Sequence, residues 1–446
     1  MSPKHHILVL LASYFALSIG MITAGQYFLV LTACSIFILF YGNAYSFLVN
    51  LVLVVANLQL GVAPVWYYDY FQGSDLSRLW LYEMAVDKEH YCEVLAQLLF
   101  FFHLGLILPQ FRKLGDEVES KDLNGYKRRL PRMFFVSGLV SWVLWVFVLT
   151  GQGSFYLLLG KRMILVFFLY RIYQDAPKTL QGLFSNYSFL FFVIVTLSEA
   201  LSGMYGELLT EIILLAAVLI KIDFLKPRLR LIGLMIFAPM ILILQLSKQE
   251  IRERSWQGDE DIIVSTIEAL ESNLHSFEDK LGRDFVQFGF LSRLNQGRIM
   301  SHVLAWKENA QSSSMDENRI WQALKISLVP RFLWPDKPFA GGADNIRQYT
   351  NVAKARGTSM NIGYFSDFII ALGDLAYLGL FIFTFIAGRI LIKLCEFRDI
   401  IGLYLLATVF SALVQIETDF FMVLNQMVKV FVLFGLITFI GRRNWI

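Results

Sequence analysis

Long apolar runs separated by short polar intervals occupy most of the chain. A membrane-spanning helix needs about 20 mostly apolar residues, and about twelve segments approach that length. They are His6 to Ala24, Tyr27 to Tyr41, Tyr45 to Val65, Cys92 to Pro109, Met133 to Gly151, Met163 to Tyr173, Leu183 to Leu201, Glu207 to Ile222, Leu231 to Leu246, Phe368 to Leu391, Ile400 to Ile416 and Phe420 to Ile440. The pattern predicts an all-α polytopic integral membrane protein.

Two of these segments leave an alternative open. The first run follows Lys4 as a signal peptide would, but it lacks a convincing cleavage site, so we predict a retained first span. The sixth segment is interrupted by Arg171, and the residues Gly151 to Gly160 before it are an alternative candidate for a re-entrant loop.

The interval from Lys248 to Ser366 is the only long polar stretch, and it divides the chain into residues 1–247, 248–366 and 367–446. Apolar residues recur at helical spacing inside it. The periodicity predicts helices over Asp261 to Leu281, Phe285 to Trp306 and Ile320 to Leu328. The middle part is therefore expected to be a mainly helical domain outside the membrane.

Composition supports the membrane class, because 56% of the residues are hydrophobic and only 17% are charged. The net charge of +3 indicates no nucleic-acid partner. Cys34, Cys92 and Cys395 lie in separate apolar segments, so they predict neither a disulfide framework nor a zinc site. No metal or other cofactor is expected.

The distribution of Lys and Arg predicts an orientation, since short cytoplasmic loops carry an excess of basic residues. The basic segments are Arg112 to Arg132, Lys221 to Arg230, Arg389 to Arg398 and Arg442-Arg443, whereas Trp66 to His90 and Glu417 to Asp419 are acidic. Both termini are then cytoplasmic and the long polar interval is extracytoplasmic. That interval exceeds about 60 residues, so its arginines do not count against this placement.

Leu328 to Pro338 contains three prolines, which exclude a helix interior and predict a stiff loop. The loop presents Arg331 and Lys337, whose charges suit a phosphate group. The alternative is that these cations pair with Asp336 and Asp344.

Arg298, His302 and Trp306 are spaced four residues apart and share one face of a predicted helix, with Arg293 on a neighbouring face. A guanidinium in such apolar surroundings needs an anionic partner, which favours a pyrophosphate and sugar site. The alternative is a solvated helix face on which His302 is structural.

A polar and aromatic run containing Asn361, Tyr364 and Asp367 leads into the tenth span. One interpretation is helix capping by Ser366 or Asp367. The other is that Asn361 and Asp367 orient an acceptor hydroxyl or act as the base.

Charged residues inside spans are costly and are functional candidates by default. Arg162, Glu199 and Glu207 lie near the predicted outer ends of their spans and are candidates to line a cavity open to the exterior. The alternative is that such charges pair with one another to pack the bundle, as Asp374 would with Lys429.

Three stretches resemble one family. The run Phe-Leu-Ser-Arg-Leu-Asn-Gln-Gly-Arg-Ile from Phe290, the proline-rich segment from Leu328, and Thr-Ser-Met-Asn-Ile-Gly from Thr358 are similar to the oligosaccharide repeat unit polymerases, the Wzy-type O-antigen polymerases. The layout of spans and one large outer loop is also similar. The resemblance implies a GT-C-type fold, related to the O-antigen ligases, and supports Arg293, Arg298, Arg331 and Lys337 as substrate-binding residues.

The resemblance also implies a reaction and its setting. Undecaprenyl-pyrophosphate-linked glycans would be donor and acceptor in a bacterial inner membrane, without a cofactor, and a carboxylate or His302 would take the hydroxyl proton. A chain-length regulator and a flippase are the implied protein partners, and O-antigen, capsule or exopolysaccharide is the implied product. A ligase of the same fold is the nearest alternative, since the base is left undecided: Asn361 is preceded by Met360, not by a histidine.

Two other classes remain as alternatives. A transporter or flippase commonly has two related halves, and this chain shows no internal repeat. A non-catalytic scaffold would be favoured if the loop arginines proved dispensable.

Overall fold

The computed structural model describes residues 3–79, 82–111, 124–147, 154–201, 205–233, 235, 280–309, 318–329, 333–334, 337, 343–350, 352, 361–397 and 399–442. Regular structure in these residues is helical throughout, without a β-strand. The predicted all-α class is confirmed.

The helices up to residue 221 are α1 (Pro3–Ser18), α2 (Ala24–Tyr41), α3 (Ala44–Ala56), α4 (Ala63–Tyr70), α5 (Asp75–Leu79), α6 (Lys88–Ile107), α7 (Asn124–Phe147), α8 (Ser154–Asp175), α9 (Leu180–Phe184), α10 (Tyr187–Leu201) and α11 (Tyr205–Lys221). Those after residue 279 are α12 (Lys280–Leu294), α13 (Gly297–Asn309), α14 (Asn318–Leu328), α15 (Ala343–Thr350), α16 (Tyr364–Leu372), α17 (Ala376–Cys395), α18 (Ile400–Val414) and α19 (Phe420–Arg442).

Four helical stretches of the described chain are long and apolar enough to cross a membrane, namely Ala24–Tyr41, Ala44–Tyr70, Lys88–Phe111 and Tyr364–Cys395. Shorter apolar helices cover Leu130–Leu144, Tyr187–Leu197, Ile400–Val414 and Phe420–Val432. The chain is therefore a helical membrane protein. Every predicted span includes described helical residues, although the ninth lies mostly outside the described part of the chain. A count of twelve spans stays a prediction.

Polar residues in the short connections start several of these helices. Thr23 and Gln26 form a reciprocal capping box at α2, and Asn43, Asp87 and Asp399 accept backbone N–H groups at the starts of α3, α6 and α18. Each cap satisfies a helix-terminal donor that would otherwise be unpaired. The apolar runs are thus bounded by local chemistry as well as by hydropathy.

A π-helical segment, Asn57–Val62, joins α3 to α4. Such a segment frees main-chain carbonyls from the regular helical pattern. Here the Leu60 carbonyl accepts a hydrogen bond from the Tyr91 hydroxyl at 2.7 Å, and the Gln59 carbonyl accepts one from the Gln296 amide at 3.1 Å. The irregular turn therefore ties the long polar interval to the membrane bundle.

Different side-chain contacts are found at the two ends of the helix bundle. At the end that we term the basic end, Lys221 Nζ donates to the carbonyls of Cys395 and Phe397, and Arg230 donates to the carbonyls of Phe40 and Gly42. Two basic segments predicted to lie on one membrane face, Lys221 to Arg230 and Arg389 to Arg398, thus contact each other. The first of them also contacts the connection between α2 and α3.

At the opposite end, termed the loop end, the polar interval meets the loops between spans. The Ala85 amide donates to Ser301 Oγ at 3.1 Å, and Lys307 pairs with Asp374 at 2.6 Å. The acidic loop after α4 and the helices of the polar interval therefore lie together.

Three local expectations prove wrong. Residues 154–160 are continuous α-helix within α8, so they do not form the re-entrant loop considered above. The helix expected over Phe285 to Trp306 is broken into α12 and α13, because Asn295 turns its side chain to accept the Arg298 amide. Asp374 pairs with Lys307, not with Lys429, since it sits in the short turn before α17.

The expected caps of α16 also differ. Its start is at Tyr364, and Gly363 is the N-cap residue, with φ of 81°. A Cβ at residue 363 would also lie 3.0 Å from the Ile416 carbonyl oxygen. Ser366 and Asp367 therefore lie inside the first turn of the helix. The predicted helix over Asp261 to Leu281 lies almost wholly outside the described residues.

Candidate functional site

Helices α12 and α13 are anchored on the loop that follows α4. The Tyr82 hydroxyl hydrogen-bonds to the carbonyls of Ser292 and Asn295 at the junction of the two helices. A Cβ on Gly297 would lie 2.5 Å from Pro64, so α13 starts directly against the bundle. This contact fixes the position, along the bundle axis, of the α13 face that carries Arg298 and His302.

Arg298 and His302 lie on this face but do not form an open anion site. The Arg298 guanidinium stacks 4.4 Å from the centre of the Tyr82 ring, and burial lowers the pKa of Arg298. Within the described structure, the buried His302 Nε2 has no hydrogen-bond partner. Burial and the charge of Arg298 lower the pKa of His302 to about 4, although a hydrogen bond with the Glu83 backbone opposes this. A neutral imidazole of such low basicity is poorly suited to act as a general base.

A second set of charges joins the polar interval to α16 and α19. Arg319 Nε and Nη2 both lie 2.5 Å from Asp367 Oδ1, and the side chains are 15% and 5% exposed. Asp367 Oδ2 accepts a hydrogen bond from the backbone amide of Phe420, the first residue of α19, at 2.6 Å. Both oxygens of Asp367 are therefore occupied, so its predicted role as a base would require displacing a partner.

Asp419 makes the reciprocal contact. Its Oδ1 accepts the amides of Ile362 and Gly363, directly before α16, and its Oδ2 accepts Asn345 Nδ2. Burial and the neighbouring Asp367 raise the pKa of Asp419 to about 7, against the opposing effects of Arg319 and the Asn345 hydrogen bond. Each carboxylate thus caps the helix of the other. We call Arg319, Asp367 and Asp419 the Arg319 clamp.

A third set lies inside the bundle between α8, α11 and α18. Arg162 Nη2 pairs with Glu207 Oε2 at 2.7 Å and donates to Ser411 Oγ at 3.3 Å. The Arg162 and Glu207 side chains remain 14% and 18% exposed. The Glu207 carboxylate is therefore more exposed than that of Asp367, whereas Arg162 and Arg319 are exposed to a similar degree.

Lys161 and Glu211 extend the third set. Lys161 is 1% exposed and Glu211 is 8% exposed, and both interact electrostatically with Glu207 and with each other. The described residues provide no hydrogen-bond partner for Glu211 Oε2, although Thr196 lies beside it. We call Lys161, Arg162, Glu207 and Glu211 the Arg162 cluster. Two cations and two carboxylates are thus held within a membrane protein's interior, where unpaired charges are costly.

The Arg162 cluster is nearer the loop end than the basic end. Tyr173, at the far end of α8, packs against Phe397 with ring centres 5.1 Å apart. Eleven residues separate it from Arg162, which is about 16 Å along a helix. On α18, Ser411 contacts Arg162 and Leu413 accepts the Tyr364 hydroxyl at 3.2 Å. The end of α18 therefore lies between the cluster and α16.

The other predicted site residues are dispersed. Tyr364 is fully buried and packs against aromatic rings, while Asn361 is half-buried directly before the Asp419 contacts. Lys337 Nζ donates to the Val329 carbonyl at 2.9 Å, and Arg293 is half-buried in the last turn of α12. The structure does not gather them into one pocket.

Two predicted residues give less information. Arg331 lies outside the described residues, as does most of the proline-rich segment. Glu199 falls within α10, one turn beyond Thr196, at a position whose side chain is not described.

Sequence reasoning missed Arg319, Asp419, Lys161 and Ser411 as site residues. Arg319 lies in a polar stretch without any distinguishing pattern, and the sequence marks Asp419 only as part of an acidic outer loop. Lys161 had a usable signal, since it adjoins Arg162 at the start of an apolar run. Nowhere in the described chain do three or more His, Cys, Asp or Glu side chains gather as a metal site would require.

Comparison with known proteins gives one family match. Residues 123–446 match the profile of the family described as Domain of unknown function (DUF8712). No curated protein and no solved structure matches the chain. The matched segment includes the Arg162 cluster and the Arg319 clamp.

Proposed function

We propose a function for this chain, which belongs to the family described as Domain of unknown function (DUF8712): it is a membrane glycosyltransferase that polymerises oligosaccharide units linked to a polyprenyl pyrophosphate. The proposal takes its substrate class from the resemblance of three stretches to the repeat unit polymerases. It takes its catalytic site from the Arg162 cluster.

The observation that carries the proposal is the contact of Arg162 with Glu207 at 2.7 Å in a partly enclosed site. Glycosyl transfer from a pyrophosphate needs a cation for the leaving group and a base for the incoming hydroxyl. Both kinds of group are adjacent here, and electrostatic interactions with a bound substrate are stronger in the low-dielectric interior of a bundle than in water. The Arg319 clamp offers the same groups, but helix N-termini already occupy its carboxylates.

The proposed step is a single displacement at the anomeric carbon. The acceptor hydroxyl oxygen forms a bond to that carbon while the bond from carbon to the pyrophosphate oxygen breaks. The electron pair leaves with the pyrophosphate, which Arg162 and Lys161 stabilise, and Glu207 takes the hydroxyl proton. Because the pyrophosphate is already a good leaving group, positioning and charge stabilisation supply most of the catalysis.

The remaining predicted residues have supporting roles in this proposal. Arg293, Arg298, Arg331 and Lys337 would guide the charged head of a second lipid-linked glycan towards the bundle. Glu199, on the same helix as Thr196, is a second candidate for the base. Asn361 and Tyr364 would shape the path between the polar interval and α18.

The test is polymerisation in proteoliposomes that contain one defined undecaprenyl-pyrophosphate-linked oligosaccharide. Wild-type protein should produce a ladder of lengthened glycans. Arg162→Gln and Glu207→Gln should each lower the rate at least 100-fold, on the scale of losing one transition-state donor, about 3 kcal/mol. Unit-length lipid-linked glycan should accumulate.

The matched controls remove an ion pair at the same end of the bundle. Lys307→Gln and Asp374→Asn disrupt the pair whose Asp374 side chain is 98% exposed, so their ladders should equal that of the wild type. Unchanged ladders from Arg162→Gln and Glu207→Gln would overturn the assigned site. Transfer of intact glycan to a different acceptor, without lengthening, would identify a ligase instead.

A further inference from the structure

A cavity of about 560 Å³ opens between α7, α8 and the start of α10, away from the Arg162 cluster. Its polar lining includes Arg132, Arg171 and Tyr187, and its apolar lining includes Phe135 and Phe167. The volume falls within the range of small-molecule sites, roughly 300–1,000 Å³. The cavity therefore combines a cationic region with an aromatic wall.

The two arginines are arranged differently from those in the bundle interior. Arg171 Nη2 donates to the Tyr187 hydroxyl at 3.0 Å, and its contact with Asp175 is 3.9 Å long. The Arg132 side chain is exposed and makes no ion pair within the part of the chain described. Among the described residues, the cavity opening therefore carries more positive than negative charge.

The cavity lies at the basic end of the bundle. Two residues after Arg171, Tyr173 packs on Phe397, and Lys221 Nζ lies 3.9 Å from the centre of the Phe397 ring. By the positive-inside rule, this end faces the cytoplasmic leaflet, which is rich in anionic lipids. Basic pockets between helices on that side bind anionic headgroups.

The surrounding surface is suited to acyl chains. Val136 is 59% exposed and Tyr187 is 55% exposed, and Phe135 and Phe167 lie with ring centres 5.1 Å apart. An apolar flank beside two guanidinium groups matches a molecule with a charged head and an apolar tail. A free anion would leave that flank unused.

We propose that this cavity binds the phosphate of an anionic phospholipid, with Arg132 and Arg171 contacting the phosphate and the acyl chains lying along Phe135 and Val136. The Tyr187 hydroxyl accepts from Arg171 and is left with its proton to donate to a phosphate oxygen. The site does not depend on the proposed glycosyltransferase activity. It would couple the position of α7 and α8 to the composition of the membrane.

The test is native mass spectrometry of the full-length protein, titrated with phosphatidylglycerol or phosphatidylcholine of the same acyl chains. Phosphatidylglycerol should bind at least tenfold more tightly. The double variant Arg132→Gln/Arg171→Gln should lose this preference and retain its thermal unfolding temperature. The double variant Lys178→Gln/Arg228→Gln removes the same charge from exposed basic residues outside the cavity lining and should keep the preference.

A titration with inorganic phosphate distinguishes binding of a lipid from binding of a free anion. If millimolar phosphate displaced phosphatidylglycerol completely, or bound equally well alone, the ligand would be the anion and the lipid proposal would be overturned. Retention of the lipid preference in the cavity variant would also overturn it. So would an equal loss in the control variant, since that result would indicate general surface charge.

Discussion

At the scale of single residues, the same ion pair has different consequences in different surroundings. Arg319 and Arg162 each hold a carboxylate inside the protein, at 2.5 and 2.7 Å. Asp367 also accepts the first amide of α19, whereas no further hydrogen bond to Glu207 is described. The first pair therefore stabilises helix ends, and the second is the better candidate for chemistry.

Arg319→Gln should destabilise the protein strongly. The substitution leaves Asp367 and Asp419 close together and buried with no cation between them, and removing one partner of a buried pair costs about 3–5 kcal/mol. Unfolding of the purified protein in detergent, followed by circular dichroism, measures the loss. The double variant Arg319→Gln/Asp367→Asn should recover part of it, because one uncompensated charge is also removed.

Lys307→Gln provides the comparison for this prediction. Its partner Asp374 is almost fully exposed, and such pairs contribute about 0–1 kcal/mol. Equal losses from Arg319→Gln and Lys307→Gln would show that the Arg319 clamp has no special structural role.

His302 should make the protein less stable in mild acid. Its pKa in the folded protein is lowered to about 4 from an ordinary value of 6.5, so between these values the unfolded chain binds a proton that the folded chain does not. Stability should therefore fall as the pH drops from 6.5 to 4, by at most about 1.4 kcal/mol per pH unit. His302→Gln should flatten this part of the profile of unfolding free energy against pH.

His5→Gln, at an exposed histidine remote in sequence from His302, is the control of the same residue type. Asp419 has the opposite effect on the pH dependence of stability over part of this pH range. Its raised pKa means that the folded protein binds the extra proton between about pH 4 and 7, so its contribution to stability falls as the pH rises. A profile for His302→Gln parallel to that of the wild type would contradict the prediction.

The sequence identifies charged residues inside apolar runs, but it does not identify the residues with which they form ion pairs. Arg162 and Glu207 were singled out because ions inside apolar runs are costly, and they do form a pair. Arg319 had no such signal, because it lies in a polar stretch where an arginine is ordinary. The pairing of Asp367 with Arg319 and its capping of α19 depend on tertiary contacts over about 50 residues of separation, which no local pattern encodes.

At the scale of helices, close packing depends on a few small residues. Helices α6 and α17 run parallel, and Gly105 faces α17 where a Cβ would lie 2.8 Å from the Phe381 carbonyl oxygen. Farther along, Gly388 brings α17 against the Leu106 carbonyl, where a Cβ would lie 3.4 Å away. Membrane helices associate through small residues because lipid provides no hydrophobic drive between them.

Gly105→Leu should therefore separate α6 from α17. Overpacking typically costs about 1–3 kcal/mol. Here the obstacles are the buried Thr384 hydroxyl and the Phe381 carbonyl, and the carbonyl belongs to the backbone, which cannot move aside as a flexible side chain would. Gly435→Leu is the control, since a Cβ at that helical glycine meets no described atom within 4 Å. Thermal unfolding in detergent should show a loss only for Gly105→Leu, and equal melting temperatures for both variants would contradict the packing.

Helix positions were more predictable than helix breaks. Long apolar runs fix where a helix can lie in a membrane, and the described helices overlap the predicted spans accordingly. The break after Leu294 depends on the Asn295 side chain accepting the Arg298 amide, and on the Tyr82 hydroxyl from a distant loop. Helix α15 went unpredicted because it is only eight residues long and most of its residues are polar.

At the scale of the whole molecule, each end of the bundle has its own set of polar contacts between segments. Lys221 and Arg230 fasten the basic end through main-chain carbonyls, whereas Lys307 and Ser301 fasten the polar interval at the loop end. The charge rule assigns the basic end to the cytoplasm. The proposed substrate site and the proposed lipid site would then face opposite leaflets.

Single cysteines placed on either side of α6, α7 and α8 would test this arrangement. If all three helices cross the membrane, residues 78 and 178 lie on opposite faces of it; if only two cross, both residues lie on the same face. The crossing of α8 needs this test, because α8 is not among the four described stretches that are long and apolar enough to span. The native Cys34, Cys92 and Cys395 are buried and would be replaced first. We expect a membrane-impermeant maleimide to label Arg78→Cys in intact cells and Lys178→Cys only after permeabilisation. Labelling of both in intact cells would mean that one helix does not cross, and the reverse pattern would invert the molecule and place the polar interval in the cytoplasm.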